Sequence, residues 1–204
     1  LANFCRNLLN MPIKHFLQFK DLSLAEFTHI FERTRLIKQR FKAYQPYHPL
    51  SDRTLVMIFE KPSTRTRVSF EVGMQELGGH TVLLTDEQSQ LGRGETVADT
   101  ARVLSRYADA IMIRTDDPKK LIELQEFSTV PVINGLTDKS HPCQIMADIM
   151  TFEEHRGSIE GRKVAWTGDG NNVVASWVHA AARLGFEMRI ATPPELKPSQ
   201  ALLN

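Results

Sequence analysis

Hydrophobic and polar positions change period repeatedly along this chain, and each change marks an element. Over residues 21–44, Phe27, Ile30, Phe31, Thr34, Ile37 and Phe41 recur at helical spacing behind Ser23 and Glu26, a candidate capping box. An amphipathic helix is predicted there. Gln45-Pro46-Tyr47-His48-Pro49 breaks the pattern as a turn, and Thr54-Leu55-Val56-Met57-Ile58-Phe59 follows as a short, apolar, partly β-branched run, as expected of a buried parallel strand. The next helix starts at Pro62 and Ser63, offers Val68, Val72 and Leu77 as part of a buried face, and stops at Gly78-Gly79.

The alternation continues with strands predicted over 80–84, 110–114 and 130–134, helices over 95–107, 118–127 and 142–155, and a polar loop over 86–94. Strands alternating with helices of these lengths predict an α/β fold with a parallel sheet flanked by helices on both faces. There is no repeat at fixed period. The helix that begins at Pro142 puts Ile145, Ile149 and Phe152 on one side and ends at Gly157, where a hinge is predicted. Beyond it come a strand over 163–167, the turn Gly168-Asp169-Gly170-Asn171-Asn172, a helix over 173–184 and a strand over 187–191. One βαβ unit buries too little apolar surface to stand alone. Residues 1–156 therefore read as one domain, and residues 157–204 as the beginning of a second α/β domain in a chain that looks truncated.

Composition narrows the function classes. The chain has 204 residues, 42% of them hydrophobic, enough for one good core. Twenty-five Lys and Arg against 24 Asp and Glu leave a net charge of +1, so there is no general pull toward nucleic acid or membrane, and basic chemistry has to be local. The longest apolar run, Leu55 to Phe59, is too short to cross a bilayer, and the start Leu1-Ala2-Asn3-Phe4-Cys5-Arg6 lacks the order of a signal peptide. A cytoplasmic protein is expected. Cys5 and Cys143 are too few for a disulfide framework and have no metal-ligand spacing, which predicts reduced thiols and no zinc site.

The densest chemical signal is Phe59-Glu60-Lys61-Pro62-Ser63-Thr64-Arg65-Thr66-Arg67, where a buried strand hands over to a helix. Free backbone N–H groups, the positive end of the helix dipole, three hydroxyls and an Arg able to hold two phosphate oxygens converge there as an anion site. Taken alone, the segment is a helix cap with solvated arginines. Two further segments change that balance. Arg114 closes a predicted strand, where open α/β sheets place ligands, and His141-Pro142-Cys143-Gln144 returns to the same sheet edge with an imidazole and an amide at a helix start.

Together, Ser63-Thr64-Arg65-Thr66-Arg67 and His141-Pro142-Cys143-Gln144 resemble the two signatures of the aspartate and ornithine carbamoyltransferase family. The resemblance runs from about residue 12 to residue 193 and includes Gln90-Leu91-Gly92-Arg93-Gly94-Glu95 and Asp99-Thr100-Ala101-Arg102-Val103-Leu104. Cys143 between Pro142 and Gln144, and the Gly-Asp-Gly-Asn-Asn turn, look like the ornithine branch. The resemblance implies transfer of a carbamoyl group from carbamoyl phosphate to L-ornithine, giving L-citrulline and phosphate, with no metal and no cofactor. It implies that Ser63, Thr64, Arg65 and Thr66 hold the phosphate, that Arg114, His141 and Gln144 bind the carbamoyl group, and that Gln90 contacts carbamoyl phosphate. It further implies that Asn172 contacts ornithine, and that the protein is a homotrimer, or a multiple of trimers, in which the loop carrying Gln90 lies by a subunit interface. Arg65, Arg114 and His141 are the expected catalytic residues.

Such chemistry asks the protein to orient two reactants, stabilise an oxyanion and neutralise departing phosphate. Cys143 sits in the first turn of a helix, where a thiol pKa can fall, but a small, partly buried apolar residue explains its place equally well. The family's His-Cys-Leu-Pro segment, and its Asp and Ser-Met-Gly motif for the amino-acid substrate, do not occur in this chain. Three alternatives remain open: a non-catalytic chain that binds only carbamoyl phosphate, a carbamoyltransferase for a related amine such as putrescine or an acetylated ornithine, and a dinucleotide module. The last rests on Gly168-Asp169-Gly170, where Val173 stands in place of the Gly or Ala of that fingerprint.

Overall fold

The computed structural model describes residues 13–85 and 94–203. Its first helix, α1 (Leu24–Lys42), opens on the expected capping box: Ser23 Oγ accepts from the Glu26 N–H at 3.3 Å, and the Glu26 carboxylate accepts from the Ser23 N–H at 2.7 Å. Strand β1 (Thr54–Phe59), helix α2 (Thr64–Glu76), β2 (His80–Thr85), α3 (Val97–Leu104), β3 (Ala110–Arg114), α4 (Pro118–Phe127), β4 (Val132–Leu136) and α5 (Pro142–Arg156) follow in turn. Then come β5 (Lys163–Thr167), α6 (Asn172–Leu184), β6 (Glu187–Ala191) and the short α7 (Gln200–Leu203).

The first four strands form a parallel sheet in the order β2-β1-β3-β4. Strand period explains how both faces come to be buried. Val56, Ile58, Ile111, Ile113 and Val132 face Ala101 of α3 and Leu121 and Leu124 of α4. The alternate positions Leu55, Met57, Phe59 and Met112 face Phe70 and Met74 of α2. The chain leaves β1 in one direction toward β2 and returns on its other side as β3, so the topological switch point lies between β1 and β3.

The register carries this to the strand ends. Phe59 pairs with Thr85 on one side and Arg114 on the other, and the ladder shifts between Ile113 and Arg114 where β3 meets β4. The turn that precedes α2 and the side chain of Arg114 therefore emerge side by side. β5 and β6 form a separate two-stranded parallel sheet. A third core joins the two parts: Ile145 and Ile149 of α5 pack with Phe19, Phe27 and Phe31 and with Ile159, Ala180 and Phe186. Arg35 and Glu153, 2.6 Å apart, add an ion pair between α1 and α5.

One expected face is corrected. Val68 and Val72 are 50% and 44% exposed, and no residue of α2 is fully buried. Both Val68/Val72 and Phe70/Met74 have helical spacing, and the sheet takes the larger pair, whose aromatic ring and thioether reach farther into its face. The predicted helix over 95–107 is shorter, ending at Leu104 and giving way to turns, and the strand predicted over 130–134 lies two residues later.

Candidate active site

Three of the expected groups stand at or after the carboxyl ends of strands of the four-stranded sheet: the start of α2 after β1, Arg114 at the end of β3, and His141 after β4. Ser63 is the N-cap of α2, with φ −158° and ψ 101°, but its hydroxyl does not cap the helix; it donates to Thr66 Oγ1 at 3.0 Å. The N–H groups of the first turn, which no intrahelical carbonyl can satisfy, are left facing outward with the dipole's positive end. Thr64 and Arg65 are exposed, and the Arg65 side chain makes neither a hydrogen bond nor an ion pair with the described residues.

Arg114 is the last residue of β3. It is half-buried, and its Nε is fully enclosed without a hydrogen-bond partner. Burial draws its pKa down, with Asp116 opposing that shift. His141 is the N-cap of α5 at φ −137° and ψ 65°. Its Nδ1 is also enclosed without a partner. Burial, reinforced by the charge of Arg114 and opposed by Asp148, brings the imidazole down to about 4, so it is neutral at physiological pH.

The third unpartnered buried atom among the described residues is Asn134 Oδ1, on β4, whose backbone pairs with Ile113 beside Arg114. Each such atom costs about 1–3 kcal/mol, and native interiors hold few of them. Two of them share one place: Arg114 lies near enough to His141 for its charge to act on the imidazole.

The surrounding contacts fix these groups. The Glu60 N–H donates to the Arg114 carbonyl at 3.0 Å, and the Glu60 carboxylate accepts from the Thr115 hydroxyl and from Lys120 Nζ, the latter at 2.5 Å. The end of β1 is thus tied to the turn after β3. Lys61 pairs with Asp116 across the same gap. Gln144 lies exposed in the first turn of α5, with its amide nitrogen on Asp148 Oδ1 at 2.9 Å. Asn172, at the start of α6, donates through Nδ2 to the Thr137 carbonyl at 2.7 Å, which brings it to the turn leading into His141. Gln90 lies outside the described residues. The segment containing Glu60 was singled out by its pattern, but the carboxylate itself was given no role; its distance of 55 residues from Thr115 and 60 from Lys120 left no local signal.

Cys143 decides against a nucleophile. Its thiol donates to the Asn134 carbonyl at 3.3 Å, and although the residue keeps some surface, burial pushes the thiol up to about 12. Desolvation outweighs the helix dipole that would lower it. The dinucleotide reading also meets an obstacle. Gly170 donates to the Leu196 carbonyl at 2.7 Å, and its α-carbon lies so close to residues 196–198 that an added Cβ would stand 2.4 Å from the Pro198 nitrogen. This close approach is taken by the protein's own backbone. A cavity of about 1160 Å³ runs between α1, residues 44–48 and α2; it touches the site only through Thr64 and Arg65 and does not reach Arg114 or His141. Among the described residues, no three His, Cys, Asp or Glu side chains gather as a metal-binding group, and no helix is long and apolar enough to cross a membrane.

Residues 14–154 match the model of the aspartate/ornithine carbamoyltransferase carbamoyl-P binding domain, and residues 160–204 match that of its Asp/Orn binding domain. The chain belongs to the aspartate/ornithine carbamoyltransferase family. Among curated carbamoyltransferases, the ornithine carbamoyltransferase of Bradyrhizobium diazoefficiens is 60% identical over 189 residues, covering 93% of this chain and 62% of that protein. The solved ornithine carbamoyltransferase of Burkholderia thailandensis superposes with a TM-score of 0.91 at 53% identity, covering 94% of this chain and 66% of that one. That of Pyrococcus furiosus superposes at 0.90 and 49% identity, covering 93% and 61%. The chain thus spans about 62% of the length of the curated carbamoyltransferases it matches.

Proposed function

We propose that this protein serves carbamoyl transfer from carbamoyl phosphate to the side-chain amine of L-ornithine, giving L-citrulline and phosphate. The observation that carries the reading is the placing of an open helix N-terminus bearing Arg65 after β1, next to β3, whose last residue Arg114 has an unpartnered buried Nε and acts on the partly buried His141. The names of its relatives support ornithine as the acceptor.

In this reading Ser63, Thr64, Arg65, Thr66 and the first-turn N–H groups of α2 take the phosphate oxygens. Arg114, His141 and Gln144 take the carbamoyl group, Gln90 adds a contact to carbamoyl phosphate, and Asn172 meets ornithine. The uncharged amine attacks the carbonyl carbon and a C–N bond forms. The carbonyl oxygen becomes an oxyanion, which Arg114 and an N–H of the neutral imidazole stabilise by donating to it. The bond from the carbonyl carbon to the bridging oxygen then breaks, its electron pair leaves with phosphate, and Arg65 and Thr66 hold the charge that develops there. The attacking nitrogen gives its extra proton to the departing phosphate, which leaves the neutral amide of citrulline and inorganic phosphate. Residues 1–156 act as the carbamoyl-phosphate domain and 157–204 as the start of the amino-acid domain. A cytoplasmic homotrimer acting in arginine biosynthesis is the assembly and setting that fits the family.

Calorimetric titration of the chain with carbamoyl phosphate, with Arg65→Ala as control, tests the first half of this reading. Saturable binding that the substitution abolishes is expected; no binding to a folded sample would sink the site assignment. Citrulline formation tests the second half, run in parallel on a chain extended to the length of its relatives. The shortened span favours one second reading, that this chain alone binds carbamoyl phosphate without turnover, and activity confined to the extended chain would establish it.

A further inference from the structure

Two hydrogen bonds cross from α6 onto the turn that ends in His141. Asn172 Nδ2 donates to the Thr137 carbonyl at 2.7 Å. One helical turn later on the same face, Ser176 Oγ accepts from the His141 N–H at 2.7 Å and donates to the Asn172 carbonyl at 3.1 Å. The gripped residues are the two ends of one tight turn. Inside, that turn is already closed: the Thr137 N–H donates to the Ser140 carbonyl at 2.9 Å, and the Lys139 and Ser140 N–H groups both donate to Thr137 Oγ1 at 3.2 Å. Thr137 and Ser140 are buried, and Asn134 Nδ2 ties Ser140 Oγ to β4 at 2.9 Å. The segment is consequently held by its own bonds and by β4 as well as by α6.

What remains to be fixed is its last residue. The His141 side chain makes no capping bond, and the helical bond to its carbonyl from Ile145 is long, at 3.4 Å. Ser176 is 1% exposed, so bulk water cannot readily replace its hydroxyl. We propose that Ser176 is a positioning residue for His141: its hydroxyl, carried on α6, sets where the imidazole stands relative to Arg114. This rests on the role given to His141 above. A shift of α6 becomes a shift of the imidazole, which links the part of the chain that meets the second substrate to the group that polarises the first.

The test compares Ser176→Ala with Ser176→Thr, which keeps the hydroxyl, in isotopically labelled protein followed by NMR at the His141 ring. In the unsubstituted chain the ring stays neutral down to about pH 4. Ser176→Ala leaves the turn closed but releases the His141 N–H, and the midpoint rises toward the free-imidazole value of about 6.5. The dissociation constant for carbamoyl phosphate rises about tenfold with it. Ser176→Thr restores both. A folded Ser176→Ala protein with an unchanged ring midpoint and unchanged affinity overturns the proposal, as does a Ser176→Thr protein that behaves like Ser176→Ala. Hydrogen exchange at the His141 amide of the unsubstituted chain decides the matter if Ser176→Ala does not fold. Strong protection is expected, and exchange at the rate of an exposed amide overturns the proposal. If the unsubstituted chain fails to bind carbamoyl phosphate, the functional reading falls, while the ring titration still judges Ser176.

Discussion

Arg114 and His141 emerge at one sheet edge, and the charge of the first adds to burial in holding the second neutral. Two cationic groups in a half-buried site would repel each other; a neutral imidazole beside a guanidinium does not, and both can donate to one oxygen.

Stability should therefore depend on pH through His141. Its folded value, about 4, lies below the unfolded value of about 6.5. Between the two, the unfolded chain binds a proton that the folded chain refuses, so stability is full above about 6.5 and falls as pH drops through that window. The ring is only partly enclosed, which limits the effect to about 1–2 kcal/mol. His15 and His179 are lowered by burial too and act in the same direction. Urea unfolding at pH 7, 5.5 and 4.5 should show the loss, and the difference between the natural chain and His141→Gln isolates this residue's share. Equal slopes for the two proteins would show that His141 is not held neutral.

Cys143 should behave as a packing residue. With its thiol pushed up to about 12, little thiolate exists at neutral pH, and iodoacetamide should leave the Cys143 peptide unmodified until urea unfolds the protein. Cys143→Ala should hold carbamoyl phosphate within about threefold of the natural affinity. Rapid alkylation of the folded chain, read by peptide mass spectrometry, would reverse this assignment.

Glu60 should matter more than its absence from the expected site suggests. Its side chain is 12% exposed and is held by Thr115 and Lys120 at the turn that follows Arg114. Glu60→Ala removes the shared acceptor and should destabilise the chain by about 2–3 kcal/mol. It should also weaken carbamoyl phosphate binding, because the turn carrying Arg114 loses its tie to β1. Glu60→Gln keeps one acceptor and should fall between the two. Thermal unfolding and calorimetry together would expose the opposite result, stability lost with affinity intact.

Strands Thr54–Phe59 and Ala110–Arg114 were legible because burial on both faces makes them apolar almost throughout, whereas Lys163–Thr167 and Glu187–Ala191, which alternate half-buried with exposed positions, were legible from that alternation; all four fall where the pattern puts them. The Ser23 and Glu26 capping box was equally local. The buried face of α2 was not, because Val68/Val72 and Phe70/Met74 have the same period and only the sheet's side chains choose between them. That Arg65, Arg114 and His141 each stand at or after the carboxyl end of a strand could be anticipated from where each stood in the pattern. The partners that hold them could not: Ser176 lies 35 residues from His141, and nothing in a serine inside a helix announces a bond to a distant backbone amide. One faint signal existed, its position one helical turn after Asn172.

Two glycines of the second unit should respond differently to substitution. Gly185 caps α6 at φ +73°, and its added Cβ would meet only the Glu160 side chain at 3.6 Å. The cost of Gly185→Ala is conformational, about 1 kcal/mol, and Gly185→Asn should recover much of it because Asn tolerates the left-handed region. Gly170 is constrained by space. Its Cβ would stand 2.4 Å from the Pro198 nitrogen and 2.7 Å from the Leu196 oxygen, both backbone atoms that cannot rotate away. Gly170→Ala should therefore cost at least about 2 kcal/mol, and Gly170→Asn should be no better. Denaturant unfolding of the four variants separates a conformational cause from a steric one. Rescue by Asn at 170 would mean that residues 196–198 can withdraw, and would reopen the space beside the Gly168-Asp169-Gly170 turn to a ligand.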